Sequence, residues 1–229
     1  MKTMKILNLY ACLGGNRYKW DDVAKDANIK IEVTAVELDT EAARLYKERF
    51  PNDNVIVADA HQYLLDHYTE FENGFVWSSP PCPTHSKMNF TFKGKRQVDG
   101  KFKIKYPDMK LYQEIIFLDN FFEGKYVVEN VVPYYEPLIP AKRRGRHLYW
   151  TNFNLPKNIN ERKNPDFTRV KNVIKVMSDF HDYDFKKYKG IQPINKMANN
   201  LVDYEAGRTI FEIVLGIERA NDVTQTTLF

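Results

Sequence analysis

The sequence contains little cysteine and no long hydrophobic run. Only two cysteines, Cys12 and Cys82, occur in 229 residues, which is too few for a disulfide framework. The longest apolar stretch near the N-terminus, residues 6–13, is interrupted by Asn8 and is too short for a membrane span or a signal-peptide core. We therefore expect two free thiols in a cytoplasmic protein that does not enter a membrane.

Low-complexity segments, internal repeats and two nucleotide-binding motifs are also missing. The content of 43% apolar, 14% aromatic and 28% charged residues excludes a disordered or fibrous chain. Because neither G-x-G-x-x-G nor G-x-x-x-x-G-K-[ST] occurs, a dinucleotide or triphosphate ligand is disfavoured. The length predicts one domain with room for one insertion.

The net charge of +4 is unevenly distributed along the chain. Residues 1–80 hold 9 basic and 13 acidic side chains, and the remainder holds 25 basic and 17 acidic ones. The basic excess is greatest at residues 87–105, where aromatic residues are interleaved, and again at residues 142–146. This combination suits a polyanion with stackable bases. A solvated basic loop would explain the charge equally well.

Short, continuously apolar segments alternate with helical patterns over the first 130 residues. Strands are predicted at residues 5–10, 31–36, 55–57, 74–78 and 125–129, and helices from residue 40 and at 112–122 and 204–216. Thr40 is the predicted N-cap of the first of these helices. The alternation predicts an α/β fold with a mostly parallel sheet covered by helices on both faces. Periodicity fades between residues 150 and 190, which predicts an irregular insertion.

Polar residues follow these strands, at the edge where parallel sheets bind ligands. Gly14 and Gly15 follow the first strand, Glu37 the second and Asp59 the third. A carboxylate at the position of Glu37 can accept both hydroxyls of a ribose, and Asp59 can accept from an adenine amino group. Since no phosphate-binding motif accompanies them, S-adenosylmethionine is the predicted cofactor.

A second cluster of strand-end residues predicts chemistry. Cys82 stands between Pro81 and Pro83 in a rigid turn, and the basic residues that follow favour its thiolate by lowering the thiol pKa. A metal site is not expected, because Cys82 and His85 supply only two ligands. Cys12 is assigned to packing. Glu129 follows three apolar residues, which predicts its partial burial.

Five motifs, in order, resemble the DNA cytosine-5 methyltransferases of phage and restriction-modification systems. The matching segments are Asn8 to Gly15 (with Cys12 where glycine is usual), Pro80-Pro81-Cys82, Glu129-Asn130-Val131, Arg144-Gly145-Arg146 and Asn200-Leu201-Val202. The resemblance implies the Rossmann-like fold of S-adenosylmethionine-dependent methyltransferases. It also implies a bacterial or phage-infected cell and double-stranded DNA as substrate.

The resemblance divides the chain and assigns its site residues. Residues 1–150 would form the catalytic domain, 151–190 a short target-recognition region, 191–220 the return to the catalytic domain and 221–229 a flexible tail. The implied catalytic residues are Cys82, Glu129, Arg144 and Arg146. The implied cofactor-binding residues are Tyr10, Ala11, Gly14, Gly15, Glu37, Leu38, Asp59, Ala60, Pro80, Asn200 and Val202. The implied DNA-binding residues are Ser86, Lys87, Lys93, Lys95, Arg96, Lys101, Lys103 and Lys105.

The implied mechanism starts from the poor nucleophilicity of cytosine carbon 5. Addition of the Cys82 thiolate at carbon 6 turns the ring into an enamine that can attack a methyl sulfonium. Glu129 would bond N3 and the exocyclic amine, and Arg146, with Arg144, the carbonyl oxygen. The base would have to be flipped out of duplex DNA, and residues 87–105 resemble the loop that closes beside the nucleophile.

Two alternatives and one partner hypothesis stay open, and a third alternative is disfavoured. A transfer RNA cytosine-5 methyltransferase would have the same fold and nucleophile, and a catalytically silent DNA-binding relative would keep only the fold. A nicotinamide oxidoreductase lacks the required glycines. Gln225, Leu228 and Phe229 resemble a peptide that docks on a sliding clamp, although a tail folded onto the protein's own surface is the simpler interpretation. We expect a monomer.

Overall fold

The apolar segments of the sequence form the centre of a seven-stranded sheet. The computed structural model describes residues 1–90, 96–98, 101–103, 105–163, 165 and 172–217. Its strands are β1 (Lys2–Leu9), β2 (Ile29–Val36), β3 (Asn54–Ile56), β4 (Phe75–Ser78), β5 (Arg96–Val98), β6 (Lys101–Lys103), β7 (Lys125–Val131), β8 (Lys142–Arg144) and β9 (His147–Thr151). Its α-helices are α1 (Trp20–Asp26), α2 (Thr40–Arg49), α3 (Ala60–His67), α4 (Lys110–Phe121), α5 (Val173–His181), α6 (Ile194–Asn199) and α7 (Tyr204–Val214).

The strand order of the large sheet is β3-β2-β1-β4-β7-β9-β8. The first five strands of that order run parallel, whereas β9 is antiparallel to both β7 and β8. The chain moves outward from β1 to β3 and then returns to the other side of β1 with β4. The order therefore reverses between β1 and β4, and a crevice opens there beyond the carboxyl ends of the strands.

Helices cover both faces of the sheet. On one face, Leu7 and Leu9 pack with Leu64 of α3 and Leu118 of α4. On the other face, Ile6 and Trp77 pack with Trp20 of α1 and Phe211 of α7. Because side chains alternate along a strand, a continuously apolar strand supplies both cores. The predicted fold class, a mostly parallel sheet of Rossmann-like type with helices on both faces, is confirmed.

The region between residues 150 and 190 contains more structure than its weak periodicity predicts. Strand β9 ends within it, α5 spans Val173–His181, and a 3₁₀ turn follows at Phe185–Lys187. Met177, Phe185 and Tyr188 pack against Leu13 and Leu45 of the parallel half of the chain. The segment is thus anchored on α2, while its role in target recognition stays a prediction.

Two local expectations are wrong. Asp39, not Thr40, caps α2, because its carboxylate accepts hydrogen bonds from the backbone N–H groups of Glu41 and Ala42, both at 3.0 Å. Strand β7 continues past its predicted end at residue 129 to Val131, so Glu129 lies inside it, opposite Tyr149 of β9. The antiparallel strands β8 and β9 and the helices α1 and α3 were not predicted.

Candidate active site

A cleft of about 800 Å³ lies at the carboxyl ends of the parallel strands. Residues from widely separated segments meet on its wall: Tyr10, Cys12, Glu37, Leu38, Asp59, Ala60, Pro80, Cys82, His85, Glu129, Arg146, His147, Ile191, Gln192, Lys196, Asn200 and Val202. Such a volume is in the range of small-molecule and cofactor sites. The cleft therefore joins most of the predicted cofactor residues and three of the four predicted catalytic residues in one cavity.

Glu37 is fixed at one end of the cleft by the turn after β1. Its carboxylate accepts hydrogen bonds from the backbone N–H of Cys12 and of Asp39, both at 2.8 Å. Burial raises the pKa of Glu37, and these two hydrogen bonds partly oppose that shift. Each oxygen keeps a second lone pair, so the oriented carboxylate can still accept from a diol.

The glycine-containing turn owes its shape to unusual backbone angles and close approaches. Tyr10, Cys12 and Gly14 all have positive φ, at 55°, 48° and 70°. A Cβ on Gly15 would lie 2.3 Å from the carbonyl oxygen of Val202. Gly15 thus lets the segment before α7 approach β1. Ala11, Gly14 and Gly15 shape this turn and do not line the main cleft.

Asp59 stands on the exposed wall opposite. One of its oxygens caps α3 by accepting from the Gln62 N–H at 3.0 Å, and the other lies 3.2 Å from Lys110 Nζ. Both oxygens are therefore engaged by protein. Its contact with an adenine amino group stays a prediction.

Tyr10 marks a buried polar network beneath the cleft. Its hydroxyl donates to Glu114 of α4 at 2.5 Å, and Glu114 also accepts from Ser78 Oγ at 2.6 Å. Burial and the Glu114 charge raise the pKa of Tyr10. The network ties β1 and β4 to α4, so it fixes the two strand ends between which the cleft opens.

Cys82 lies half-buried in the turn after β4. The backbone N–H groups of His85 and Ser86 both donate to its carbonyl oxygen at 3.0 Å. Burial and the Glu129 charge raise the pKa of the Cys82 thiol to about 11, although Arg146 and Lys196 oppose the shift. The expected lowering of this pKa is therefore wrong, because desolvation outweighs the nearby positive charge.

Glu129 and the Cys82 turn are held together by a contact that the sequence does not predict. Glu129 is 7% exposed, which confirms its expected burial. The neighbouring Asn130 donates from Nδ2 to the Pro80 carbonyl oxygen at 2.9 Å and is itself buried. Strand β7 is thereby fixed to the proline turn, which places Glu129 and Cys82 on the same wall of the cleft.

Only one of the two predicted arginines reaches this wall. Arg146 lines the cleft. Arg144 does not, because its guanidinium donates to the carbonyl oxygens of Leu155 and Pro156. The catalytic assignment of Arg144 is therefore not supported, and its contacts indicate a structural role for this residue.

His147 and Lys196 were missed by the sequence prediction. His147 lines the cleft next to Glu129, with its Nε2 3.6 Å from Glu129 Oε1. Lys196, on α6, contributes positive charge to the surroundings of Cys82. Neither residue follows a predicted parallel strand, so the strand-end rule that found the other residues did not find these two.

The structure covers the predicted DNA-binding segment in part. Ser86 forms a bridge with Pro133, Lys87 is exposed, and the Lys105 carbonyl accepts from the Tyr134 hydroxyl at 3.1 Å. The backbones of Arg96, Lys101 and Lys103 belong to the antiparallel pair of β5 and β6. Lys93, Lys95 and the tail residues Gln225, Leu228 and Phe229 lie outside the described residues.

The described part of the chain contains no group of three or more histidine, cysteine, aspartate or glutamate side chains that could hold a metal ion. It also contains no helix long and apolar enough to cross a membrane.

Comparison with known sequences gives two relatives that carry the same enzyme name. The tRNA (cytosine(38)-C(5))-methyltransferase of Spodoptera frugiperda is 32% identical over 91 residues, which are 40% of this chain and 25% of that protein. The enzyme of the same name from Rattus norvegicus is 23% identical over 88 residues, which are 38% of this chain and 22% of that protein. The chain thus matches about a quarter of each relative's length. No known family profile matches the sequence.

Solved structures that resemble the chain align with only part of it and with low TM-scores. A mutant of Spodoptera frugiperda DNMT2 aligns with a TM-score of 0.37 and 28% identity, covering 56% of this chain and 35% of that one. A putative DNA modification methyltransferase encoded within an Escherichia coli prophage aligns with a TM-score of 0.36 and 17% identity, covering 58% and 34%. At these TM-scores the likenesses do not by themselves establish a shared fold.

Proposed function

We propose that this chain, which over its matched segment is a relative of the cytosine-5 methyltransferases, transfers a methyl group to carbon 5 of a cytosine in a nucleic acid. The observation that carries the proposal is the shared cleft. The Cys82 thiol, the Glu129 carboxylate and the Arg146 side chain line one part of it, and the Glu37 carboxylate lines another. These are a nucleophile, two groups that can bind a cytosine ring and an acceptor for a ribose.

The cofactor prediction, S-adenosylmethionine, agrees with the kinship to methyltransferases. When bound, this cofactor supplies an electrophilic methyl group. Glu37 would accept from its ribose hydroxyls, and exposed Leu38 would cover one side of its adenine ring. The lining fits a ligand without phosphates. Three acidic side chains, at positions 37, 39 and 41, line the Glu37 end of the cleft, and their negative charge would repel a phosphate group.

The reactive residues would act in a fixed order. Glu129 bonds the N3 edge of the ring and Arg146 its carbonyl oxygen, and the Cys82 thiolate then forms a bond from Sγ to carbon 6. After the methyl group has moved to carbon 5, loss of the carbon 5 proton to solvent breaks the bond to Cys82. With a thiol pKa of about 11, only a small fraction of Cys82 is ionised at neutral pH before substrate binds. The positive charges of Arg146 and Lys196 therefore assist the thiolate when the base enters.

Double-stranded DNA is the substrate that we propose, with the cytosine flipped out of the helix. It is supported by the resemblance of the five motifs and by the basic segment at residues 87–105. Transfer RNA is a second candidate, because both curated relatives are named as tRNA methyltransferases. The phage or restriction-modification setting, the cytoplasmic location, the monomeric state and clamp docking by the tail belong to this proposal as well.

A direct assay distinguishes these possibilities. The purified chain is incubated with S-adenosylmethionine and either duplex DNA of mixed sequence or a transfer RNA pool, and 5-methylcytosine is measured by mass spectrometry of the nucleosides. We expect product from DNA. Product from transfer RNA alone would replace DNA with the second candidate, and no product from either substrate would favour the catalytically silent relative.

A further inference from the structure

His147 lies between two carboxylates at the inner wall of the cleft. Its Nδ1 is 2.6 Å from Glu161 Oε1, and its Nε2 is 3.6 Å from Glu129 Oε1. The first distance is a hydrogen bond, whereas the second is an ion-pair distance slightly longer than one. The side chains of His147, Glu129 and Glu161 are only 13%, 9% and 14% exposed. Three ionisable groups therefore share a space with little water.

The backbone is shaped to hold this arrangement. Strands β7 and β9 pair so that Val131 is opposite His147, which leaves Glu129 diagonal to His147 on the same face of the sheet. Gly145 has a φ of +53°, and a Cβ there would lie 2.6 Å from Glu161 Oε2. A larger residue at position 145 would therefore displace Glu161 from the imidazole.

The charges around the imidazole favour its protonated form. Burial lowers the pKa of His147, but the Glu129 charge, together with the hydrogen bond and charge of Glu161, raises it above its ordinary value. Arg146, the adjacent residue of the same segment, opposes this rise. Arg144, opposite His147 on β8, directs its guanidinium to backbone carbonyls, and the Tyr149 ring contacts the imidazole.

His147 Nε2 and Glu129 Oε1, which face each other, are most favourably arranged when they share one proton. With Nδ1–H donated to Glu161, Nε2 faces Glu129 either as an N–H beside a carboxylate or as a lone pair that can accept from a carboxylic acid. With neither proton, a lone pair faces a carboxylate, which is unfavourable unless another donor reaches Glu129. The pair therefore shares one proton, which passes between the two groups when side-chain movement shortens the 3.6 Å separation to hydrogen-bond length.

We propose that His147, held by Glu161, is a positioning residue that keeps a proton available at the Glu129 carboxylate for the cytosine ring. The inference rests on the proposed methyl transfer. As the bond from Cys82 Sγ to carbon 6 forms, the one proton that His147 and Glu129 share moves through the Glu129 carboxyl group to N3, and Glu129 is left as a carboxylate that accepts from the N3–H group. His147 is left neutral, with its Nδ1–H still on Glu161. After methyl transfer, the carbon 5 proton is lost to solvent as the bond from carbon 6 to Cys82 Sγ breaks, and the N3 proton returns through Glu129 to His147.

His147→Gln tests the proposal because glutamine keeps a polar contact but cannot supply the proton. We expect kcat to fall about tenfold near pH 6.5, with a smaller change in KM, because the proton acts in the chemical step. As pH rises through the pKa of His147, the wild-type protein loses the same proton, and the ratio of the two kcat values should approach one by about pH 9. A merely structural role would give a ratio that does not change with pH.

A spectroscopic measurement tests the coupling without any activity. The imidazole of His147 is titrated by two-dimensional NMR in wild-type protein and in the Glu161→Gln and Glu129→Gln variants. Each variant should lower the His147 pKa by about one unit, because each removes a negative charge beside the ring. His67 is the matched control, since it forms an exposed pair with Glu70 at 2.7 Å, and His67→Gln should leave both the rates and the His147 titration unchanged.

Each outcome supports or overturns the proposal. The proposal is supported if the ratio of wild-type kcat to His147→Gln kcat falls as pH rises and if both glutamate variants lower the His147 pKa. An active wild-type protein with a constant ratio, or a His147 pKa that Glu129→Gln does not move, overturns it while leaving the proposed function intact. A wild-type protein that methylates neither DNA nor transfer RNA overturns the proposed function and, with it, the role of His147.

Discussion

At the residue scale, both cysteines line the cleft, so the covalent intermediate of the proposed reaction has two candidate positions. Cys12 has its thiol buried beside Glu37, and burial together with that negative charge raises its pKa well above the ordinary range. Cys82 has the lower pKa of the two, at about 11, and lies near Arg146 and Lys196. A thiolate at the reactive position is therefore easier to form at Cys82.

Cys82→Ser is expected to reduce methyl transfer at least about 1,000-fold, because a hydroxyl is a far weaker nucleophile at neutral pH. S-adenosylmethionine should still bind, because serine is nearly the same size. The measurement is covalent trapping on DNA that contains 5-fluorocytosine, followed by gel electrophoresis. Cys12→Ala should still form the trapped species. A trapped adduct in Cys82→Ser would contradict the assignment.

Glu37→Gln is expected to weaken S-adenosylmethionine binding. The carboxylate is held by two backbone N–H groups, so its orientation is set before any ligand arrives. Loss of charged hydrogen bonds costs about 1.5–3 kcal/mol, or roughly 10- to 150-fold in Kd by calorimetry. Glu32→Gln, at an exposed position of β2, the strand that Glu37 follows, is the control and should bind normally. Equal affinity in both variants would remove Glu37 from the cofactor site.

At the element scale, the N-terminus of α2 connects the sheet to the segment that follows β9. Asp39 caps the helix and also accepts from the Tyr188 hydroxyl at 2.7 Å. Although burial acts in the opposite direction, the hydrogen bonds from Tyr188 and from the N–H groups of Ala42 and Glu41 lower the pKa of Asp39. One carboxylate thus stabilises a helix and a long-range contact together.

Asp39→Ala should lower the free energy of unfolding by about 1–2 kcal/mol, the usual cost of losing an N-cap. Thr40→Ala is the control, and it should be nearly neutral because Thr40 does not cap the helix. Since the folded-state pKa of Asp39 is lowered, its contribution is present near neutral pH and is lost as pH falls through that pKa. Denaturant unfolding of the three proteins at about pH 7 and pH 3 checks both statements. A larger loss in Thr40→Ala would contradict the capping assignment.

The elements that the sequence predicts correctly are those with a strong local signal. Strand β4 and the carboxyl-terminal halves of β1 and β2 are mostly apolar because both faces are buried there, β7 has an apolar centre, and α7 carries its apolar residues on one side. Strands β8 and β9 were missed because β8 consists of basic residues, and their existence depends on pairing with β7. Pairing between distant segments leaves no local periodicity.

At the scale of the whole molecule, the site also contains residues that the sequence predicts and contacts that it does not. Glu37, Cys82 and Glu129 were predictable because they lie at or near the carboxyl ends of apolar strands, where parallel sheets bind ligands. The contact from Asn130 to Pro80 and the contact from His147 to Glu161 join segments 50 and 14 residues apart. Such contacts arise from sheet order and loop geometry. They determine how the reactive groups are held, and a single sequence does not contain them as a pattern.

The excess positive charge of the molecule lies in the part of the chain that contains Cys82 and the residues after it. Basic residues exceed acidic ones only beyond residue 80, and the basic segment at residues 87–105 follows the Cys82 turn directly. Since phosphate contacts release counterions, the salt dependence of DNA binding counts the lysines that take part. The contribution of this segment can therefore be measured separately from catalysis.

Replacing Lys101, Lys103 and Lys105 together with glutamine should flatten the plot of log binding constant against log salt concentration. Each phosphate contact on duplex DNA contributes a slope of about −0.9, so the loss of three contacts should reduce the slope by about 2–3. The matched control replaces Lys2, Lys5 and Lys30, which are exposed on β1 and β2. That variant removes the same charge from the acidic part of the chain and should leave the slope nearly unchanged. Equal slopes in both variants would place residues 101–105 outside the DNA interface, because the remaining effect would then be one of net charge alone.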